Sequence, residues 1–308
     1  MTSWQFKALK TFFRLKHWFE TGTPSLEKRR RSYENMTSQF VLDPEVRITP
    51  AALNGVPVEW VMPPDSPAGR VVLFFHGGAY CLCSVKTHRA LAVHLAMAAR
   101  SPVANVAYRL APEHPFPAAV KDAVSAYQAL LDMDVAPENI IVAGDSAGGG
   151  LALALLLSVR DAELPLPAAA VCISPWTDLT LSGASMTVNA RKDVMLDDDS
   201  LTESARFYLD GTDPRTPLAS PLFADFHHMP PLLIQVGSDE IILSDAEGVA
   251  EKARAAGVDV TLDIWQGMQH EWQFAAQFVP EGQAAIARIG AFMQAHFADP
   301  ENHPHKRT

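Results

Sequence analysis

The stretch Asn139-Ile140-Ile141-Val142-Ala143-Gly144-Asp145-Ser146-Ala147-Gly148-Gly149-Gly150 constrains this chain more than any other. Its apolar, β-branched first half has the composition of a strand buried on both faces of a parallel sheet. Leu151-Ala152-Leu153-Ala154-Leu155-Leu156-Leu157, rich in strong helix formers, follows. Between them Gly144-Asp145-Ser146-Ala147-Gly148 matches G-x-S-x-G, and strand, tight turn, helix is the setting in which that pattern carries chemistry. A serine at such a turn has a strained backbone, and the glycines two before and two after it let strand and helix pass closely. The turn thrusts the hydroxyl into the open, and the helix N-terminus behind it favours developing negative charge. A phosphate cradle is the weaker alternative. No Lys-Ser/Thr follows these glycines, and the G-x-G-x-x-G spacing is absent.

Strands and helices alternate around this stretch. Val46–Ile48 and Val56–Val61 read as half-exposed strands joined near Asn54-Gly55, a hairpin signal. Val71–Phe75 is a fully apolar strand running into His76-Gly77-Gly78-Ala79-Tyr80, where adjacent glycines let backbone N–H groups approach a ligand atom. Further strands are expected over 103–108, 168–173, 232–236 and 260–265, and helices over 87–99, 118–131, 246–256 and 284–296. Such alternation dictates an α/β fold with a mostly parallel sheet covered on both faces. A length of 308 residues suits one large α/β domain with an insertion, or two small domains. The regular pattern lapses between Ser174 and Pro231, where only 201–209 looks helical, so this insertion reads as a lid or cap. The expected division is 1–44 as N-terminal cap helices, 45–176 and 229–297 as core, 177–228 as cap insertion and 298–308 as a flexible tail.

A serine hydroxyl needs a base, usually a histidine oriented by a carboxylate. Of eleven histidines, His76 reads as a brace for its glycine loop, while His88 and His94 fall within an expected helix. His270 stands apart. It follows the strand ending at Trp265 through a short turn, at a strand's carboxyl end like Ser146, and the order Ser, acid, His points to it. For the acid, the strand ending at Val236 passes into Gly237-Ser238-Asp239-Glu240. Asp239 leaves the strand first and is the leading candidate, Glu240 is its immediate rival, and Asp245 is expected to cap the next helix.

A net charge of −10 disfavours nucleic-acid or anionic-membrane partners. Cys81, Cys83 and Cys172 form neither a disulfide framework nor a zinc pattern, which fits a reducing cytoplasm. The N-terminus is aromatic and basic (Trp4, Phe6, Lys7, Leu9, Lys10, Phe12, Phe13) but has no uninterrupted apolar core, so neither signal peptide nor stable membrane insertion is expected. Its stripe is expected to pack over the mouth of the domain rather than lie on a membrane. Residues 25–38 read as a second, exposed helix N-capped by Ser25, with Arg29, Arg30 and Arg31 on a solvated face.

Taken together, His76-Gly77-Gly78-Ala79, Tyr108-Arg109-Leu110-Ala111-Pro112-Glu113, Gly144-Asp145-Ser146-Ala147-Gly148-Gly149, Asp239 and His270 resemble the hormone-sensitive-lipase group of α/β-hydrolases, the bacterial family IV esterases. The resemblance spans roughly residues 45 to 297. It implies the α/β-hydrolase fold, an eight-stranded sheet, and a cap made of the N-terminal helices plus the insertion. It implies a serine carboxylesterase for small-molecule esters of short to medium acyl chain, with Ser146, Asp239 and His270 as triad. The oxyanion hole it implies uses the N–H groups of Gly77, Gly78 and Ala147. No metal or organic cofactor is implied, and a homodimer is an option by analogy. Two departures stand out: Ala79 replaces the usual third loop glycine, and Asp239-Glu240-Ile241 replaces the usual Asp-Pro-Leu. A lactone, amide or carbamate hydrolase would use the same machinery, and a non-catalytic receptor on this fold would be expected to show a broken triad.

Overall fold

The computed structural model describes residues 2–19 and 24–298. In chain order the elements are α1 (Trp4–Phe19), α2 (Leu26–Thr37), β1 (Arg47–Leu53), β2 (Val56–Met62), β3 (Val71–Phe75), α3 (Arg89–Ala99), β4 (Val103–Val106), α4 (Ala118–Asp132), β5 (Ile140–Asp145), α5 (Ala147–Asp161), β6 (Ala169–Ile173), α6 (Ser185–Val188), α7 (Asp198–Leu209), β7 (Leu232–Gly237), α8 (Leu243–Ala255), β8 (Val260–Trp265) and α9 (Pro280–His296). From residue 299 on, the expected flexible tail lies outside the described residues.

The eight strands form one sheet in the order β1-β2-β4-β3-β5-β6-β7-β8. The hairpin β1–β2 is antiparallel and β2 meets β4 antiparallel; every other pairing is parallel. Side chains alternate across β3: Leu73 and Phe75 join the core under α4, α5 and α8, whereas Val72 and Phe74 join the core under α3 and α9. This period of two, apolar on both faces, is the pattern of a central strand with helices on each side. The carboxyl ends of β3, β5, β7 and β8 therefore open on one edge, where their loops meet.

The α1 stripe divides between two fates. Phe6 is buried with Met268 and Trp272, while Trp4 and Phe12 stay 76% and 61% exposed. The expectation for α2 needs correcting. Arg30 donates from Nε to the Cys81 carbonyl at 2.8 Å, from Nη2 to the Ala111 carbonyl at 2.9 Å, and from both Nη atoms to the Glu113 carboxylate at 2.6 and 2.8 Å. Arg29 pairs with Glu203 of α7. Only Arg31, beside Glu27 at 3.4 Å, is the solvated arginine expected of all three. A planar guanidinium offers five donors in a fixed fork, and those of Arg30 meet three acceptors that the loops after β3 and β4 present together.

Candidate active site

The serine turn is built as its glycines predict. Ser146 stands at φ 51° and ψ −120° between β5 and α5, a conformation that costs energy for any residue with a Cβ. A Cβ on Gly144 would lie 2.1 Å from the Gly148 carbonyl oxygen, and one on Gly148 would lie 2.0 Å from the Phe75 carbonyl oxygen. The backbone holds the turn from both sides: Ser146 N donates to the Ile173 carbonyl at 2.8 Å, and Trp176 N donates to the Ser146 carbonyl at 2.9 Å. The Ser146 hydroxyl makes no hydrogen bond among the described residues, and the residue is 6% exposed.

His270 is buried at the end of the loop after β8. Its Nδ1 is 2.9 Å from Oε2 of Glu240, not from Asp239. Glu240 is fully buried, and its Oε1 accepts from Ser174 Oγ at 2.8 Å and from Gly237 N at 2.5 Å. Three donors on one buried carboxylate hold it in a single orientation. Asp239, expected to take this place, turns the other way. Its carboxylate pairs with Lys10 of α1 at 2.6 Å and lies 3.4 Å from Gln269 Nε2. The turn explains the exchange. Asp239 N bonds to the Met268 carbonyl and Glu240 N to the Gly237 carbonyl, so the chain curls back and the second acidic residue re-enters the sheet edge. Asp245 does not cap α8 either. It sits inside the first turn, where its buried Oδ2 accepts from Thr177 N at 2.7 Å and Asp178 N at 2.8 Å.

The glycine loop also differs from expectation. Gly77 N donates to Asp145 Oδ2 at 3.0 Å, so its N–H is spent inside the protein. Among the described residues Gly78 N and Ala79 N donate to nothing, and Ala147 as first residue of α5 has no intrahelical acceptor. Gly78, Ala79 and Ala147 are thus among the unspent backbone donors at the turn. His76 braces the loop as expected: its Nδ1 is 2.7 Å from the Gly77 carbonyl and its ring stacks on Tyr108 at 4.4 Å. Burial pushes the His76 ring down to about 3, which keeps it neutral.

Three residues escaped the sequence reading. His88 precedes α3 instead of lying within it, and its Nε2 is 3.0 Å from Asp145 Oδ2. Burial lowers this ring to about 4, so the imidazole is neutral and the contact with Asp145 is not an ion pair. Asp193, in the insertion, accepts from Ile241 N at 2.9 Å and ties that segment to the acid loop. Glu271 places Oε1 3.6 Å from His270 Nε2. Since Glu240 holds Nδ1, Nε2 faces the side where Glu271, Asp145 and Gly77 gather, and Asp145 is the residue before Ser146. The one sequence signal for Glu240 was the apolar Ile241-Ile242 after it, which marks the buried side of that turn. Among the described residues the only grouping suited to a cation is His88, Asp145 and Glu271, whose donor atoms lie within 4.8 Å of one another. Gly77 N–H points at Asp145 and at His88 Nε2, which suits a proton network and not a cation.

The chain as a whole is similar to known proteins. A family model described as alpha/beta hydrolase fold matches residues 72–274. An acetyl-hydrolase of Streptomyces hygroscopicus is 44% identical over 279 residues, covering 90% of this chain and 92% of the relative. A crystal structure of an esterase from the bacterial hormone-sensitive lipase family superposes with a TM-score of 0.93 at 42% identity, covering 97% of this chain and all of that one. The esterase EstE5, in a crystal soaked with p-nitrophenyl butyrate, superposes with a TM-score of 0.93 at 40% identity, covering 96% of this chain and all of that one.

Proposed function

The chain belongs to the alpha/beta hydrolase family, in its hormone-sensitive-lipase group, and is a carboxylic ester hydrolase; from that premise we propose that Ser146 is the nucleophile, His270 the base and Glu240 its orienting acid. His270 Nε2 takes the hydroxyl proton as Ser146 Oγ attacks the ester carbonyl. Glu240, accepting from Nδ1–H at 2.9 Å, fixes the tautomer and stabilises the imidazolium that forms. The N–H groups of Gly78, Ala79 and Ala147 receive the oxyanion, and losing one such donor typically costs about 100- to 1000-fold in turnover. The imidazolium then gives its proton to the leaving alcohol, and water releases the acyl group from Ser146. The observations that carry this reading are the buried His270–Glu240 pair at 2.9 Å and a serine held at φ 51° on the same edge of the sheet.

Acyl groups of short to medium length fit best. Tyr80, next to the oxyanion loop, stacks on Tyr208 of α7 at 3.7 Å and lies 6.3 Å from Trp176, and all three are fully buried. The similarity to an acetyl-hydrolase, and to an esterase soaked with a butyrate ester, points the same way. The cap is assigned to 1–44 with 177–228, since α1, α2 and α7 make the contacts described above with loops at the carboxyl ends of the strands. Among the described residues no helix is long and apolar enough to cross a membrane. All three cysteines are free, and Cys81 and Cys172 are buried, which supports a reducing cytoplasm.

The test is hydrolysis of p-nitrophenyl acetate, butyrate, octanoate and palmitate by the wild type and by Ser146→Ala. Turnover is expected to fall with the longest chain, and to drop about a millionfold in the variant. More than a few per cent of wild-type activity in Ser146→Ala contradicts the assignment.

A further inference from the structure

Beside the base stands a second carboxyl that the steps above leave unused. Glu271 follows His270 at φ 52° and ψ 39°, a left-handed conformation uncommon for glutamate. The turn brings its side chain to the Nε2 edge of the imidazole, with Oε1 3.6 Å away. That oxygen is buried and has no hydrogen-bond partner among the described residues, and the same is true of Asp145 Oδ1. The room for both carboxyls exists because residue 77 is glycine: a Cβ there would lie 2.5 Å from Asp145 Oδ2 and 2.6 Å from Glu271 Oε1. The titratable groups facing Glu271 are Asp145, His270 and His88, with Cys83 and Tyr33 further out. Burial, and then the charge of Asp145, lift its carboxyl to about 8. At neutral pH it therefore keeps its proton and sets no second negative charge beside a forming oxyanion. Acceptor lone pairs remain on its oxygens.

We propose that Glu271 is a catalytic residue of the second half-reaction, accepting a hydrogen bond from the water that hydrolyses the acyl-enzyme and holding it against His270 Nε2. Nε2 and Oε1 are 3.6 Å apart, too far for a direct hydrogen bond, and a water seated to one side of that gap can donate to both. One water proton passes to Nε2 as the oxygen bonds to the acyl carbon, while the other stays donated to Glu271. The bond from that carbon to Ser146 Oγ then breaks, Oγ recovers the proton from Nε2, and the carboxylic acid departs. Glu271 neither gains nor loses a proton over the cycle. Acylation uses no such water and proceeds without it. The proposal rests on Ser146 as nucleophile and names a group acting on its acyl-enzyme.

Stopped-flow kinetics with p-nitrophenyl butyrate separates the two half-reactions. Glu271→Ala is expected to release a burst of p-nitrophenol equal to the active enzyme, at the wild-type rate within about twofold. Steady turnover then falls about 10- to 100-fold, the range for a mispositioned reactant, so kcat drops while kcat/KM holds. Glu271→Gln keeps an acceptor oxygen and regains most of that loss. The burst itself counts folded sites, so a misfolded fraction is subtracted. The proposal is overturned if kcat/KM falls with kcat, if Gln is as slow as Ala, or if steady turnover is unchanged. Failure of the Ser146 assignment looks different: Ser146→Ala keeps its turnover.

Discussion

Asp239 and Glu240 are neighbours in sequence with separate partners: one meets Lys10 on α1 and the other meets His270. Glu240→Ala is therefore expected to lower kcat/KM by about 1,000- to 10,000-fold, the scale for a triad acid. Asp239→Asn should stay within about tenfold, since a partly exposed ion pair contributes little. Comparable losses in both variants contradict the division. The pH profile follows from the same residues. Burial alone would lower the pKa of His270, but Glu271 and then Glu240 outweigh it and raise the ring from 6.5 to about 9. The base must be neutral to accept the serine proton, so kcat/KM rises as pH rises. Because Glu271 keeps its own proton up to about 8, its pull is felt at the alkaline end, and Glu240 acts throughout. The midpoint of the rise is expected between 6.5 and about 9, and a profile already flat at 6.5 contradicts it. Ser146 and His270 were legible because a turn motif and a strand end mark them. The acid was not, because the direction of a side chain two or three residues past a strand depends on the curl of the turn.

At the scale of elements, α2 shows what periodicity leaves out. A charged helix with no buried residue reads as solvated, yet Arg30 reaches three acceptors on two loops. Those acceptors come from positions about 50 to 80 residues away in sequence, and nothing local to the helix announces them. Glu113 responds to the contact, with its carboxyl lowered to about 2 chiefly by the hydrogen bond from Arg30. Since Glu113 is largely exposed, the two backbone carbonyls are the firmer part of the clamp. Arg30→Ala is expected to free α2 and speed trypsin cleavage at Arg29 or Arg31 about tenfold, the loss of roughly one charge-assisted hydrogen bond. Unchanged cleavage means that the helix is held by something else. The long alternating elements were legible from composition and period, with ends displaced by a few residues: α9 begins at Pro280 where helix was expected from Ala284, and α8 begins at Leu243 instead of Ala246.

The whole molecule turns one topological fact into a site. Parallel strands β3, β5, β7 and β8 end on the same edge, so the oxyanion loop, nucleophile, acid and base converge although nearly 200 residues separate Gly77 from His270. That convergence was legible as soon as the alternation was recognised. What stayed hidden was the buried network of His88, Asp145 and Glu271 behind the serine, which three distant segments build together. The central claim is that Ser146 alone is the activated nucleophile of this edge. Mass spectrometry after treatment with phenylmethylsulfonyl fluoride tests it most directly. The expected result is one adduct per chain, on Ser146, formed in step with loss of esterase activity and absent from Ser146→Ala. A chain that loses its activity while Ser146 stays unmodified, or that carries the label elsewhere, contradicts the account.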